Sequence, residues 1–372
     1  MRPAHESVRS LEAVLEEGRR LGAWPMASLW VARGDEVLDV HVGGASAETL
    51  WDVASLTKPM VVGTLAMEAV SDGRLALDEA IGGFEPVGSD GLVREVAPLT
   101  WRGLLGHRAG LPAWKDLVFA LPEPRVAGSE AARYAVKSLV RMAARERDPG
   151  RGVEYSDLGF MLLGWFLEER LGVGLDEGLE GIGVFCPDVA GRVVAPVGWC
   201  PWRRREVAPG EVHDPNAWVL GGVAGHAGLF STAAEVGRWA RGLLRRSRGE
   251  RSGSPRLDRI RPEVVEHFWD PGQRGVDGRG ELSSWVLGWD TKSETGSSAG
   301  TLILPGSVGH LGFTGASVWI DRVRDLVVVL LSNRVALGAP AIPVIKAMRP
   351  RVHDAVVACC GETDEFRWRG PS

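Results

Sequence analysis

Apolar and polar positions alternate along this chain with two periods. Between residues 7 and 21, Leu11, Val14, Leu15 and Leu21 recur at helical spacing with Glu and Arg between them, which predicts a surface helix. Residues 27–32 and 37–42 are β-compatible runs separated by Arg33-Gly34-Asp35-Glu36, and they predict a hairpin. Turn chemistry alone accounts for the Arg-Gly-Asp triplet, so no adhesion role is expected of it. Residues 60–70 form an apolar helix with small Gly63 and Ala66, closed by Ser71-Asp72-Gly73. A short helix at 101–105 leads into the loop His107-Arg108-Ala109-Gly110-Leu111-Pro112. A charged helix at 131–146 ends before Asp148-Pro149-Gly150, and a strongly apolar helix at 155–171 ends at Gly172.

Residues 172–225 are rich in Gly and Pro and carry no clear period. Ser231 or Thr232 then caps a helix over 233–244, with Glu235 in its first turn. Residues 245–261 are basic and poor in apolar side chains, which predicts an exposed or mobile loop. Two adjacent strands follow at 316–321 and 325–332, and a closing helix at 341–357 is expected to be interrupted at Pro350. Strands fall at both ends of the chain and helices in the middle. The simplest architecture is a sheet lobe made by 1–54 and 284–372, with a mainly helical lobe of 55–283 inserted between them, the two forming one domain.

Composition narrows the partners. The 372 residues are 45% hydrophobic and 24% charged with a formal net charge of -5, the profile of a globular protein and not of a nucleic-acid binder. No run of 18 apolar residues exists, so no membrane partner is expected. The N-terminus, Met1-Arg2-Pro3-Ala4-His5-Glu6-Ser7, lacks the apolar core of a secretory signal, and the expected compartment is the cytoplasm. Cys186, Cys200, Cys359 and Cys360 form no Cys-x-x-Cys pair and suggest neither a zinc ribbon nor a redox motif.

Candidate chemistry begins at Ala54-Ser55-Leu56-Thr57-Lys58-Pro59. A serine and a lysine three apart meet on one face of a helical turn. Pro59 fits a first turn, so Ser55 stands at a helix start, where unpaired N–H groups favour an oxyanion. Ser55 then reads as a nucleophile and Lys58 as its activator, provided that Lys58 is neutral part of the time. The plain alternative is a capping serine beside a surface lysine. Tyr155, one of two tyrosines, opens an apolar helix; beside an ammonium, a phenol can act as base and then as acid. His310 opens His310-Leu311-Gly312-Phe313-Thr314-Gly315, ahead of the strand predicted at 316–321, where it is placed to lend a hydrogen bond or partial charge. Alone, either residue also suits packing. His213, Asp214 and His226 admit a metal site, but a loop near the pocket with His226 hydrogen-bonded is the plainer reading. His107 is expected to be structural, and Trp199, Trp202 and Trp218 suit either an apolar pocket or packing.

Taken in chain order, Ser55-Leu56-Thr57-Lys58, Tyr155-Ser156-Asp157 and His310-Leu311-Gly312 resemble the Ser-x-x-Lys, Tyr-x-Asn and Lys/His-x-Gly motifs of the serine β-lactamase and penicillin-binding-protein superfamily. The class C β-lactamase-like group of esterases and D-amino-acid peptidases is the nearest match. Trp51-Asp52-Val53-Ala54, Leu104-Leu105-Gly106-His107, the glycine-rich run from Gly222 to Thr232, and Trp319-Ile320-Asp321 are also typical of it. The resemblance spans roughly residues 10–357. It implies an α/β (α+β) fold with an antiparallel sheet flanked by terminal helices. It also implies a serine hydrolase forming an acyl-enzyme at Ser55, with Lys58, Tyr155 and His310 catalytic and the backbone N–H groups of Ser55 and Phe313 as oxyanion hole. Asp157, Gly312 and His226 would contact a small ester, amide or β-lactam-like substrate, with no metal or organic cofactor.

Two departures shape the expectation. His310 replaces a permanent cation, which favours an esterase or peptidase over a true β-lactamase and predicts activity that changes between about pH 5.5 and 7.5. Asp157 replaces an amide with an acceptor-only carboxylate, which is placed to hold Lys58 charged. The rival reading is a non-catalytic binding module that keeps the fold.

Overall fold

The computed structural model describes residues 4–81, 99–118, 128–145, 147–148 and 152–360. α1 (Ala4–Leu21) leads into the hairpin of β1 (Ala27–Arg33) and β2 (Glu36–Val42). After β3 (Trp51–Asp52) comes a 3-10 turn at Ala54–Leu56. The predicted helix that follows is split: Lys58–Gly63 is π-helical and α2 covers Thr64–Ser71. α3 (Trp101–Leu105) and α4 (Glu130–Arg145) stand where expected; Glu146 and Pro149-Gly150 lie outside the described residues. α5 spans Asp157–Leu171 and not 155–171, because the extended Ser156 is its N-cap and accepts from Gly159 N–H at 3.1 Å.

The patternless middle holds short strands, β4 (Val184–Phe185), β5 (Trp199–Cys200) and β6 (Arg205–Glu206), then α6 (Pro215–Val219) and β7 (Leu229–Ser231). α7 (Ala233–Ser247) begins with a complete Thr232–Glu235 capping box. α8 (Pro262–Trp269), β8 (Asp290–Thr291), β9 (Val308–Leu311), β10 (Ser317–Asp321), β11 (Leu326–Ser332) and α9 (Ala341–Cys360) complete the order. α9 runs through Pro350 without interruption.

The six-stranded antiparallel sheet has the order β2-β1-β11-β10-β9-β8, so the N-terminal hairpin adds to the C-terminal strands through β1 and β11. Strand alternation sorts the core between the two faces. Ala27, Leu29 and Val31 of β1, with Leu326, Val328 and Leu330 of β11, meet Leu11 and Leu15 of α1 and Met348, Val352 and Val356 of α9. Trp30, Val318, Ile320, Val327 and Val329 on the other face meet Val236, Trp239 and Leu243 of α7 and the core beneath the helical region. Both faces are covered, which is why β1 and β11 read as nearly continuous apolar runs.

The basic stretch 245–261 is not the loose loop expected of it. Leu257 and Ile260 are buried, Arg256 pairs with Glu68 at 2.8 Å, and Arg246 donates to the Ile260 carbonyl. Arginines that read as solvated charge hold this segment against α2 and α7.

Candidate functional site

Ser55 is presented by a strained turn. Ala54 has φ +48°, a left-handed conformation that costs any residue with a Cβ. Three buried side chains hold it: Asp52 accepts from Ala54 N–H at 2.8 Å, Thr57 donates to the Ala54 carbonyl at 2.6 Å, and Thr314 donates to the Asp52 carbonyl at 2.7 Å. Asp52 also accepts from His213 N–H at 2.7 Å, yet burial outweighs both bonds and pushes its carboxyl up to about 6. Sequence reasoning missed Asp52 as a support, because only the fold brings His213 to it.

Lys58 lies one helical turn on, fully buried. Its Nζ donates to Ser55 Oγ at 2.9 Å and to the His226 carbonyl at 3.0 Å, and it pairs with Asp157 Oδ1 at 2.6 Å. Stripping water from an ion costs several kcal/mol, and three close partners offset that here. Burial pushes the ammonium down, but Asp157 and then Tyr155 push it up, and the balance is a raised pKa. The free amine asked of Lys58 is thus not its resting form. Asp157 holds the charge, as its carboxylate predicts.

Tyr155 sits just before the cap of α5. Its phenol faces Lys58 and Ser55, and Lys58 Nζ lies 4.9 Å from the ring centroid. Burial raises the phenol's pKa while Lys58 opposes the rise. His310 precedes the expected strand, which is β10, and itself lies in a further strand, β9. It pairs with Val318, and the pleat turns both toward the helical side, where His310 meets Trp285 at 5.3 Å and Tyr155 at 6.1 Å. Burial pushes its imidazole down to about 3, with Lys58 adding to the shift, so it is neutral at every working pH. Its Nδ1 donates to the Leu311 carbonyl at 2.9 Å. The pH dependence expected of His310 between 5.5 and 7.5 is therefore corrected: the ring has too little water to charge there.

A cavity of about 710 Å³ opens above Ser55, with Tyr155, Asp157, Gly312 and Phe313 in its lining. Gly312 is required by close approach, since a Cβ there would stand 2.5 Å from the Val53 carbonyl. That approach lays the end of β9 against the turn that carries Ser55. Phe313 is 62% exposed, and Arg334 donates to its carbonyl and stacks over its ring at 4.4 Å. His226 is hydrogen-bonded as expected but does not line the cavity as a substrate contact: its imidazole is buried and meets Asp214 at 3.0 Å, and only its carbonyl reaches Lys58. Asp214 is held down to about 2 against the cost of burial, by His226 foremost. Among the described residues no group of three or more His, Cys, Asp or Glu is placed to hold a metal, so the His213, Asp214 and His226 reading has no support. Of the three tryptophans, Trp202 lines the cavity, Trp199 is exposed in β5, and Trp218 lies under Arg203.

One wall was not legible in the sequence. Arg334, Lys346 and Arg349 come to the cavity from the turn after β11 and from α9. Arg349 is buried and lowered to about 10 by desolvation, so it stays charged at neutral pH. The cavity's acids are already engaged, Asp157 with Lys58 and Asp214 with His226. In a chain this rich in arginine, nothing in the sequence marked these residues.

Comparisons with known proteins bear on the family and the fold. The family described as Beta-lactamase matches residues 11–349. A protein of Escherichia coli (strain K12) named "Putative D-alanyl-D-alanine carboxypeptidase" is 29% identical over 320 residues, covering 78% of this chain and 70% of that one. The crystal structure of a penicillin-binding protein homologue from Caulobacter crescentus superposes with a TM-score of 0.66 at 19% identity, over 95% of this chain and 97% of that chain. EstCE1, a hydrolase with promiscuous acyltransferase activity, gives a TM-score of 0.64 at 16% identity, over 93% and 99%. At such identities the two structures speak for the fold.

Proposed function

The chain belongs to the Beta-lactamase family, and from that premise we propose that it is a serine hydrolase whose acyl-enzyme forms on Ser55. The observation that carries this reading is that Ser55, in the cavity lining, has its Oγ 2.9 Å from the Nζ of buried Lys58. Lys58 and Tyr155 act as one titrating pair. When the pair has lost one proton, Asp157 keeps that loss on the phenol, so the reactive form is an ammonium beside a phenolate. Tyr155 takes the Ser55 proton as Oγ bonds to the substrate carbonyl carbon. The oxyanion is received by the N–H groups of Ser55 and Phe313. Collapse breaks the bond to the leaving group, which takes the proton back from Tyr155. Water then attacks the ester by the same route, giving the acid and free Ser55. No step needs a proton from His310, whose neutral ring positions the phenol by packing.

The basic wall defines the substrate more closely. With the acids paired and Arg334, Lys346 and Arg349 on one side, the cavity suits an ester or amide carrying a free carboxylate. Peptides ending in a D-amino acid fit that description, in line with the name of the Escherichia coli relative. A non-catalytic binding module is not favoured, since a buried, fully partnered lysine aimed at a cavity serine would be costly to keep as packing.

Matched substrates test this: p-nitrophenyl esters with and without a terminal carboxylate, and a D-alanyl-D-alanine peptide with a free or amidated end. Ser55→Ala should abolish turnover and covalent labelling by a fluorophosphonate. The free-carboxylate member of each pair should be preferred by about tenfold or more in kcat/KM, and Arg349→Met should remove most of that preference. Full turnover by Ser55→Ala would refute the nucleophile, and equal rates across each pair would refute the anionic substrate.

A further inference from the structure

α3 ends in a Schellman motif. Arg108 N–H bonds the Gly103 carbonyl at 2.7 Å, and His107 N–H bonds the Leu104 carbonyl at 3.1 Å. The residue after the cap in such a motif is left-handed and is usually glycine, which has no Cβ to clash. Here it is His107, with φ +55°. A strained, buried histidine in a glycine position calls for a reason, and its contacts supply one.

His107 grips the backbone on both sides of Tyr155. Its carbonyl accepts from Glu154 N–H at 2.9 Å, and its Nδ1 accepts from Ser156 N–H at 3.1 Å. Its ring lies 4.7 Å from the Tyr155 ring and 4.9 Å from Trp285. Accepting at Nδ1 requires the neutral ring with the proton on Nε2. Burial, with Lys58 and His310 nearby, lowers its pKa well below the usual value and keeps that form. With its left-handed backbone, His107 presents carbonyl and ring to the same tripeptide, Glu154 to Ser156.

We propose that His107 is a positioning residue that clamps Tyr155 against Ser55 and Lys58. The proposal rests on the reading of Tyr155 as proton carrier. Tyr155 stands outside α5, ahead of the extended Ser156 that caps it, so the helix does not fix it. Without the clamp, the phenol would keep its chemistry and lose its place.

A double-variant cycle tests this, with rates counted per fluorophosphonate-reactive site so that unfolded protein does not contribute. His107→Phe keeps a ring and loses the acceptor; His107→Asn puts Oδ1 where Nδ1 was and tolerates the left-handed backbone. His107→Phe should lower kcat on a p-nitrophenyl ester by about 30-fold or more with KM changed less than about threefold, while His107→Asn stays within about fivefold of the parent. In a Tyr155→Phe background both changes should cost less than about twofold, because the group they position is gone. Should His107→Phe not fold, the smaller loss in His107→Asn is read through the same cycle. Equal losses in both backgrounds, or His107→Asn as poor as His107→Phe, would overturn the clamp. Tyr155→Phe at the parent rate would instead overturn the role of Tyr155, and the clamp with it.

Discussion

A buried lysine with a carboxylate at 2.6 Å sets the chemistry of this site. Asp157 raises the pKa of Lys58 and that of Tyr155 alike, one by attraction and the other by repulsion. Both effects keep the pair fully protonated to higher pH. Asp157→Asn removes a negative charge from each, so the pair should release its proton at lower pH. The rising limb of kcat/KM should then move down the pH scale and the rate near neutrality should increase. A pH–rate profile of the variant checks this, and an unmoved or upward-shifted limb would contradict it. At this scale the sequence was informative about identity and weak about state. Ser55, Lys58, Tyr155 and Asp157 were all legible. That His310 is neutral was not, since its pKa of about 3 comes from burial by residues far away in the chain.

Helix α7 shows how an element's position overrides its propensity. Its capping box and apolar spacing were readable, and the predicted start is the observed one. Its closeness to the sheet was not. A Cβ on Gly237 would stand 2.1 Å from the buried Trp30 ring of β1. Helix propensity favours alanine over glycine by ~1 kcal/mol, whereas overpacking a filled core costs roughly 1–3 kcal/mol. The clash should win, because Trp30 has no open side to move into. Gly237→Ala is expected to lower the thermal midpoint while leaving KM unchanged. A rise in the midpoint, measured by calorimetry, would show that propensity governs and that α7 can lift. The strands missed between residues 184 and 206 share a cause: they are two residues each, too short to show a period.

The whole molecule carries a pH signature of its interior. His107, His213, His310 and His353 are all depressed by burial, the last three to about 4, 3 and 3. Below the unfolded histidine value of about 6.5, the unfolded chain takes up protons that the folded one refuses, so stability falls as pH drops through that value. Asp52 and Asp290, raised to about 6, act in the opposite sense, since the folded state binds their protons first. Raised Glu168 joins them, but it is not deeply buried and its share is smaller. Four imidazoles outweigh these carboxyls between pH 5 and 6.5. The thermal midpoint should therefore decline from pH 7 to pH 5, and a level or rising midpoint would refute the balance. No helix among the described residues is long and apolar enough to cross a membrane.

Local chemistry and period were written in the sequence: the cap at Thr232, the hairpin at Arg33–Glu36, the three motifs in order, and the antiparallel architecture they imply. Each depends on neighbours within a few residues or on a motif's own order. Tertiary structure decided the rest. It brought Arg334, Lys346 and Arg349 to one wall, turned His226 from the cavity to Asp214, and set His107 against both flanks of Tyr155. Those outcomes depend on burial and on contacts between distant segments. Desolvation and close approach, which fix charge state and position, exist only once the chain is packed.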